Sequence, residues 1–428
     1  MPVRPVPPSP PRRPWASAGP TLAVLLFAGC SATPAPTPSS TTPTATAPSP
    51  STSSPASASE VATAVDALLT RREAALVAGD TRAFTATVAE PASDAGRAQL
   101  ASSSAARALR VARLTHDVVA PVDDPSDVEV TLRYRIAGTD RADRTARVRY
   151  AVVRVGGTWR VAEETAVEAA PPWLAMPGMR VVRTSRAVVV GTAPDTALEA
   201  ASRTVERALP RLAKDWSDTP RRVLVLVPAT VAEAAALGGG TAGGVGRVAA
   251  STDGPLGADG RATGDRVVLD PQARERLTPA GRDVVLTHEL AHVAVRASVP
   301  GSAPTWLSEG YADHVGYARA DVPDAALLAP LTAAVRAGTA PTALPDTASL
   351  DPAVGDIEVG YLAAWQAAEL VADRYGEATL RRLVRRCSVL GPQEAAERAC
   401  DATMPAVLGT DRAGLTRAWR QRLDALAR

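Results

Sequence analysis

Three cysteines in 428 residues are too few for a disulfide-built scaffold or a cysteine-rich zinc finger. Positive charge is not in excess either. The formal charge is +2, and removing Arg4, Arg12 and Arg13, which precede Cys30, takes it to −1. That balance argues against a nucleic-acid binder, which needs clustered cations to displace counterions. The glycine run at 238–244 lacks the Lys-Ser/Thr ending of a phosphate-binding loop and reads as a mobile loop. No internal repeat is evident. Histidine is scarce: the four are His116, His288, His292 and His314, and the last three fall within 27 residues. What is present is ordinary for a globular protein, with 46% apolar and 21% charged residues. The length implies two or three domains.

The first sixty residues read as address and tether. The three arginines form a positive n-region, followed by an apolar run at 22–27 and then Ala28-Gly29-Cys30. This is a signal-peptide layout over 1–29, and its apolar run is too short to span a bilayer, which takes about 20 residues. Small residues ending in cysteine resemble the lipobox of bacterial lipoproteins, which makes Cys30 a lipidation site and the new N-terminus. The other outcome is an ordinary signal-peptidase cut nearby. Residues 31–59 are only Ser, Ala, Thr and Pro. They have nothing to bury against the entropy cost of ordering, so 30–59 is expected to be a disordered spacer. These features predict export and a lipid anchor on the outer face of the cytoplasmic membrane.

Two folded regions are expected beyond the spacer, giving an α+β protein. In 60–168 the apolar spacing of Val61, Val65, Leu68, Leu69 and Leu76 predicts a helix ended by Gly79-Asp80. Stretches 128–136 and 145–155 predict strands, and Gly156-Gly157 predicts a tight hairpin into Thr158-Trp159. By pattern alone this small helix-plus-antiparallel-sheet domain resembles the NTF2-like or cystatin-like group. His116 stands alone there and reads as structural. In 172–428, residues 181–190 predict a strand, 194–216 a helix, and 222–227 and 266–269 two further strands. The arginine-rich stretch 380–386 reads as a solvated helix face.

Thr287-His288-Glu289-Leu290-Ala291-His292 carries H-E-x-x-H. With so few histidines, one accidental occurrence is expected on the order of 10⁻³ times. Thr278 and Pro279 mark the start of its helix, and Val284, Val285, Leu286, Leu290 and Val293 supply a buried face. A spacing of i, i+4 lets His288 and His292 reach one metal ion, while Glu289 projects about 100° away. There it can serve as a general base. A tetrahedral zinc with an open position needs a third protein ligand. Fourteen residues past His292 begins Trp306-Leu-Ser-Glu309-Gly310-Tyr311-Ala-Asp313, a second helix on which Glu309 and Asp313 are again i, i+4. One carboxylate can bind metal while the other fixes a histidine ring.

H-E-x-x-H followed by W-L-x-E-G resembles the gluzincin zinc metallopeptidases, the superfamily of thermolysin and aminopeptidase N, and within it the peptidase-MA-like bacterial proteins. The resemblance implies a zincin-type, two-lobe metallopeptidase domain over 172–428. It implies His288, His292 and Glu309 as Zn2+ ligands, Glu289 as general base and Asp313 as the partner of His288. It also points to Tyr361 as the oxyanion donor, with Tyr311 and Tyr317 as competitors. His314, at i+5 from Glu309, points off the ligand face. The H-x-x-G-x-x-H branch is excluded because Val295 and Ser298 occupy its Gly and third-His positions. The G-A-M-E-N motif of aminopeptidases is missing, so an endopeptidase is expected.

Cys387 and Cys400, on consecutive helical stretches of an exported chain, are expected to form a disulfide. The leading expectation is therefore a lipid-anchored, extracytoplasmic enzyme that hydrolyses peptides or proteins with metal-activated water. A non-catalytic zinc-binding lipoprotein, a tethered binding module with a vestigial fold, and hydrolysis of a non-protein envelope amide are the alternatives.

Overall fold

The structure is a computed structural model that describes residues 58–119, 122, 124–238, 249–320, 322–350 and 357–428. The signal peptide, Cys30, nearly all of the spacer and most of the glycine run lie outside the described residues. The chain from Ala56 to Arg428 forms one unit. It opens with helices α1 (Ala58–Ala78), α2 (Thr81–Thr85) and α3 (Asp94–Leu109), followed by strands β1 (Val111–Val118), β2 (Val128–Ile136), β3 (Arg144–Val155) and β4 (Thr158–Ala166). These strands form an antiparallel meander in the order β1-β2-β3-β4. Gly156 and Gly157 both take positive φ, 57° and 80°, which is the primed hairpin their sequence implies. His116 on β1 is clamped between Glu73 (2.8 Å) and Asp66 (3.2 Å) of α1, a structural placement.

Next come α4 (Pro172–Ala175), β5 (Arg180–Arg183), β6 (Ala187–Gly191), α5 (Asp195–Asp215), β7 (Val223–Val227), α6 (Val231–Gly238), β8 (Ala250–Asp253) and β9 (Arg266–Leu269). The second sheet has the order β5-β6-β7-β9-β8, with β6, β7 and β9 parallel and both edge strands antiparallel. Stretch 181–190 is therefore two strands and not one, because the polar residues Thr184, Ser185 and Arg186 turn the chain back on itself. The fully buried run Val188-Val189-Val190 of β6 and the run of β7 are what a sheet covered on both faces requires.

The rest is helical: α7 (Pro271–Arg276), α8 (Pro279–Ser298), α9 (Thr305–Tyr317), α10 (Asp324–Leu327), α11 (Ala329–Ala337), α12 (Glu358–Tyr375), α13 (Glu377–Cys387), α14 (Gln393–Leu408) and α15 (Arg412–Leu426). The result is a mixed α/β architecture, consistent with the α+β expectation. Among the described residues no helix is long and apolar enough to cross a membrane.

An apolar cluster bridges the two sheets, beside one cluster on each side of it. Tyr134 and Ile136 of the meander pack in the same cluster as Val188, Val190, Leu224 and Leu226 of the second sheet. Trp173 of α4 meets Tyr134 edge-on at 4.8 Å. Arg266 of β9 donates to the Tyr134 hydroxyl (2.8 Å) and to Asp140 (3.3 Å), all three groups being buried. The Cys387 and Cys400 sulfurs stand at bonding distance and join α13 to α14.

Candidate metal centre

Helix α8 owes its position to an apolar stripe. Leu286, Leu290, Ala291, Val293 and Ala294 are buried in the core shared with α5, while His288 and His292 face a cleft. Thr278 caps it by accepting from the Gly281 N–H, with Pro279 in the first turn, as the sequence implies. Helix α9 follows from Trp306, Leu307, Tyr311 and Ala312, which are also buried. Gly310 sets its approach to α12: a Cβ there would stand 2.3 Å from the Ala364 carbonyl oxygen. Glycine after Glu309 thus lets two helices pack backbone to backbone and brings the Glu309 carboxylate over α8.

The three expected donors converge. His292 Nε2 lies 3.1 Å from His288 Nε2, and Glu309 Oε2 lies 3.3 and 3.4 Å from the two. Three ligands about 2.0–2.2 Å from a tetrahedral zinc stand about 3.3–3.6 Å apart, so the triangle fits that ion closely. Two imidazole lone pairs facing at 3.1 Å repel each other unless a proton or cation lies between them. Among the described residues these three form the group able to hold a metal ion. Asp313 accepts from His288 Nδ1 at 2.7 Å, which leaves the Nε2 lone pair turned toward the cluster.

Electrostatics tighten the arrangement. Burial opposes the charged form of His288, but Asp313 and Glu309 outweigh it and raise its pKa well above the ordinary value. Burial likewise works against Glu309, yet His292 and His288 hold its carboxyl well below the usual carboxylate range. Asp313 is pushed up by burial, partly offset by His288.

A cleft of about 530 Å³ opens in front of the three donors. Glu289 lines it without joining the triangle, and its Oε2 accepts from Thr252 Oγ1 of β8 at 2.6 Å. Among the described residues β8 has a partner strand only in β9, which leaves its other edge beside the cleft. Tyr361 also lines the cleft, its ring 6.4 Å from that of His288. Burial, then the carboxylates of Glu309, Asp313 and Glu289, raise its pKa far enough to keep its hydroxyl protonated. It sits in the first turn of α12.

Tyr311 and Tyr317 line the same cleft, whereas His314 does not. The Tyr311 hydroxyl accepts from Trp216 Nε1 at 2.7 Å, and burial pushes its pKa up to about 12. Tyr317 stacks on Trp365 at 4.4 Å. His314 turns away from the donors to Glu369 (2.9 Å) and Glu377 (3.0 Å). Sequence reasoning missed Thr252 and Arg296. Thr252 lies on a four-residue edge strand with no apolar alternation to reveal it. Arg296, which lines the cleft, is held by Asp265 at 2.9 Å across the turn after β8.

No protein-family model matches the chain, and no curated protein matches it. Among solved structures, a two-domain M1 zinc metallopeptidase with L-tryptophan bound is similar at 13% identity with a TM-score of 0.32. That comparison covers 69% of this chain and 61% of that one. An M1 zinc metallopeptidase from Deinococcus radiodurans is similar at 14% identity, also with a TM-score of 0.32, covering 69% and 60%. The chain thus spans about three-fifths of each of these proteins, and scores of this size do not establish a shared fold.

Proposed function

We propose that this chain is a zinc-dependent peptidase, carried outside the cytoplasmic membrane on a lipid attached to Cys30. The observation that carries the reading is the triangle of His288, His292 and Glu309 with a carboxylate, Glu289, beside it but outside it. A purely structural site has no use for that fourth group. Zinc on these donors would supply a Lewis acid that polarises a carbonyl and makes water a nucleophile near neutral pH. The Glu289 carboxylate takes a proton from the attacking water and returns it to the leaving amine nitrogen. The Tyr361 hydroxyl, kept protonated, donates to the oxygen that gains charge when the carbonyl is attacked. Asp313 holds His288 in the tautomer that presents Nε2. An extended substrate lies along the edge of β8 that has no partner strand among the described residues, where main-chain pairing reads any sequence.

The first test needs no substrate. A chain beginning after Cys30 should hold about one zinc, measured by plasma mass spectrometry, and Glu309→Ala should lose it. Glu289→Gln should keep the zinc and abolish hydrolysis of a mixed peptide library. A wild-type chain that takes up no added zinc defeats the peptidase reading. Radiolabelled palmitate on the wild type, absent from Cys30→Ala, tests the anchor.

A further inference from the structure

A second cavity, of about 210 Å³, lies between α5, the ends of β7 and β9, and the first turns of α8. It occupies the crevice outside the carboxyl ends of parallel strands, where open α/β sheets gather ligands. Its walls are apolar, with Val227, Leu269, Leu277 and Leu286 among them. A cavity of about 150 Å³ accepts a benzene ring, so this one has room for a single medium-sized side chain.

The mouth is cationic. Four arginines from three helices line the cavity, Arg203 and Arg207 from α5, Arg274 from α7 and Arg282 from α8, against two carboxylates, Asp270 and Asp283. Asp283 is taken up by Arg207 (2.7 Å) and the Thr204 hydroxyl. Asp270 is buried, with one oxygen capping the Ala273 N–H at 2.7 Å. Among the described residues Arg203 pairs only with its exposed helix neighbour Glu199, at 3.6 Å. Arg274 donates to the Pro228 carbonyl (2.7 Å) and Arg282 to the Leu277 carbonyl (3.1 Å), and among the described residues neither forms an ion pair with a carboxylate. The positive end of α8 faces the same way.

The cavity shares Ala249 and Val285 with the metal-site cleft. Val285 stands three residues before His288, and Arg282 stands six before it, about 4.5 and 9 Å along the helix axis. Strand β8 runs from Ala250, on this side, to Thr252, which touches Glu289. A peptide pairing antiparallel to β8, the more stable pairing, would therefore run with its carboxyl end toward Ala249 and the arginines.

We propose that this cavity receives the C-terminal residue of a peptide substrate, its apolar side chain among the leucines and its α-carboxylate on Arg282 and Arg274. The proposal rests on the peptidase reading and narrows it, departing from the endopeptidase expectation: the enzyme releases one or two residues from the carboxyl end. Water adds across the C–N bond one or two residues before the anchored carboxylate. Its hydroxyl goes to the carbonyl carbon and its proton to the departing nitrogen.

Isothermal calorimetry on the zinc-loaded chain with N-acetyl-L-leucine and N-acetyl-L-leucinamide is the first arm. The acid should bind at least tenfold more tightly than the amide, because only it carries the charge that a guanidinium fork pairs with. Arg282→Gln, an exposed position, and Arg274→Gln should each erase that preference without altering zinc content. The second arm compares hydrolysis of one leucine-ended peptide as free acid and as C-terminal amide, with the free acid expected to be cut at least tenfold faster. Equal cleavage of the two would overturn the proposal while leaving the peptidase reading intact. Preferential binding of the acid without hydrolysis of either peptide would uphold the carboxylate site and remove the peptidase reading. Equal binding of acid and amide, or a preference that survives both substitutions, overturns the site.

Discussion

Thr252 Oγ1 donates to Glu289 Oε2 at 2.6 Å, tying the edge strand of the second sheet to the carboxylate that faces the cleft. The same hydroxyl lies 3.3 Å from the Glu289 main-chain carbonyl, so it touches the residue at both ends. A hydroxyl has one proton to give, and an ionised carboxylate is the stronger acceptor. Thr252 therefore fixes one oxygen of Glu289 and leaves the other to meet water. Thr252→Val keeps the shape and removes the donor. Hydrogen bonds to charged groups are worth about 1.5–3 kcal/mol, so turnover should fall roughly 10- to 100-fold with zinc content unchanged. Thr252→Ser should restore most of it, and adding Thr252→Val to Glu289→Gln should change nothing further. An additive loss in that double variant would show that Thr252 acts on something other than Glu289.

Asp313 contributes at one remove. It is buried and among the described residues its hydrogen bond goes to His288, so it decides which ring nitrogen of His288 carries the proton. Losing such a partner typically weakens metal binding 10- to 100-fold. Asp313→Ala should show that loss in a competition titration against a chelator of known zinc affinity. An affinity equal to the wild type would mean that packing against α9 alone orients the ring.

The sequence exposes the donors because their spacing is helical, and a helix fixes geometry locally: His288, His292, Glu309 and Asp313 are each one turn from a partner. Arg296, four residues past His292 on α8, carries the same helical spacing as the donors and could have been found by it. The sequence does not expose Thr252, which reaches the cleft through strand order, a non-local matter. The same reason explains 181–190. Alternation of valines marks apolar strand residues but is silent about a reversal made by Thr184-Ser-Arg186, whose turn is held by side-chain bonds to Glu206 of the next helix. The cluster that bridges the sheets was hidden too. Nothing in Tyr134 or Trp173 announces that the meander and the second sheet pack as one body.

That packing has a measurable consequence at Asp140. Its carboxylate pairs with Arg266 from the other sheet, with side-chain exposures of 1% and 7%. Removing one partner of a buried pair leaves an uncompensated charge, at a cost of about 3–5 kcal/mol. Asp140→Ala should lower the urea midpoint accordingly, and far-UV dichroism and tryptophan fluorescence should shift together in a single transition. Two separated transitions would show that the sheets unfold independently.

Cys387 and Cys400 enclose a short loop, with a sequence separation of 13, across the junction of α13 and α14. Loop-closure entropy assigns a cross-link of that span about 3 kcal/mol. Thiol titration of the unreduced, unfolded chain from beyond Cys30 should find no free cysteine, and reduction should cut stability by about that amount. Two free thiols before reduction would mean that the pair is not bonded in the protein.

His314 gives the fold a pH dependence with a defined sign. Burial disfavours its charged form, but Glu369 of α12 and Glu377 of α13 prevail, and its pKa is raised above the ordinary 6.5. Arg381 faces Glu377 at 3.6 Å, and Trp365 shares the Glu369 oxygen at 2.7 Å, so both carboxylates are held in place around the ring. A group that binds its proton more tightly in the folded state stabilises that state fully below the unfolded value of 6.5 and loses the contribution as pH rises through the raised one. Comparing wild type with His314→Gln cancels most other titrations. The gap in thermal midpoint between them should be widest near about pH 6 and shrink steadily toward about pH 9. A gap that stays constant across that range would mean that His314 holds α9 to α12 and α13 by packing and not by its charge.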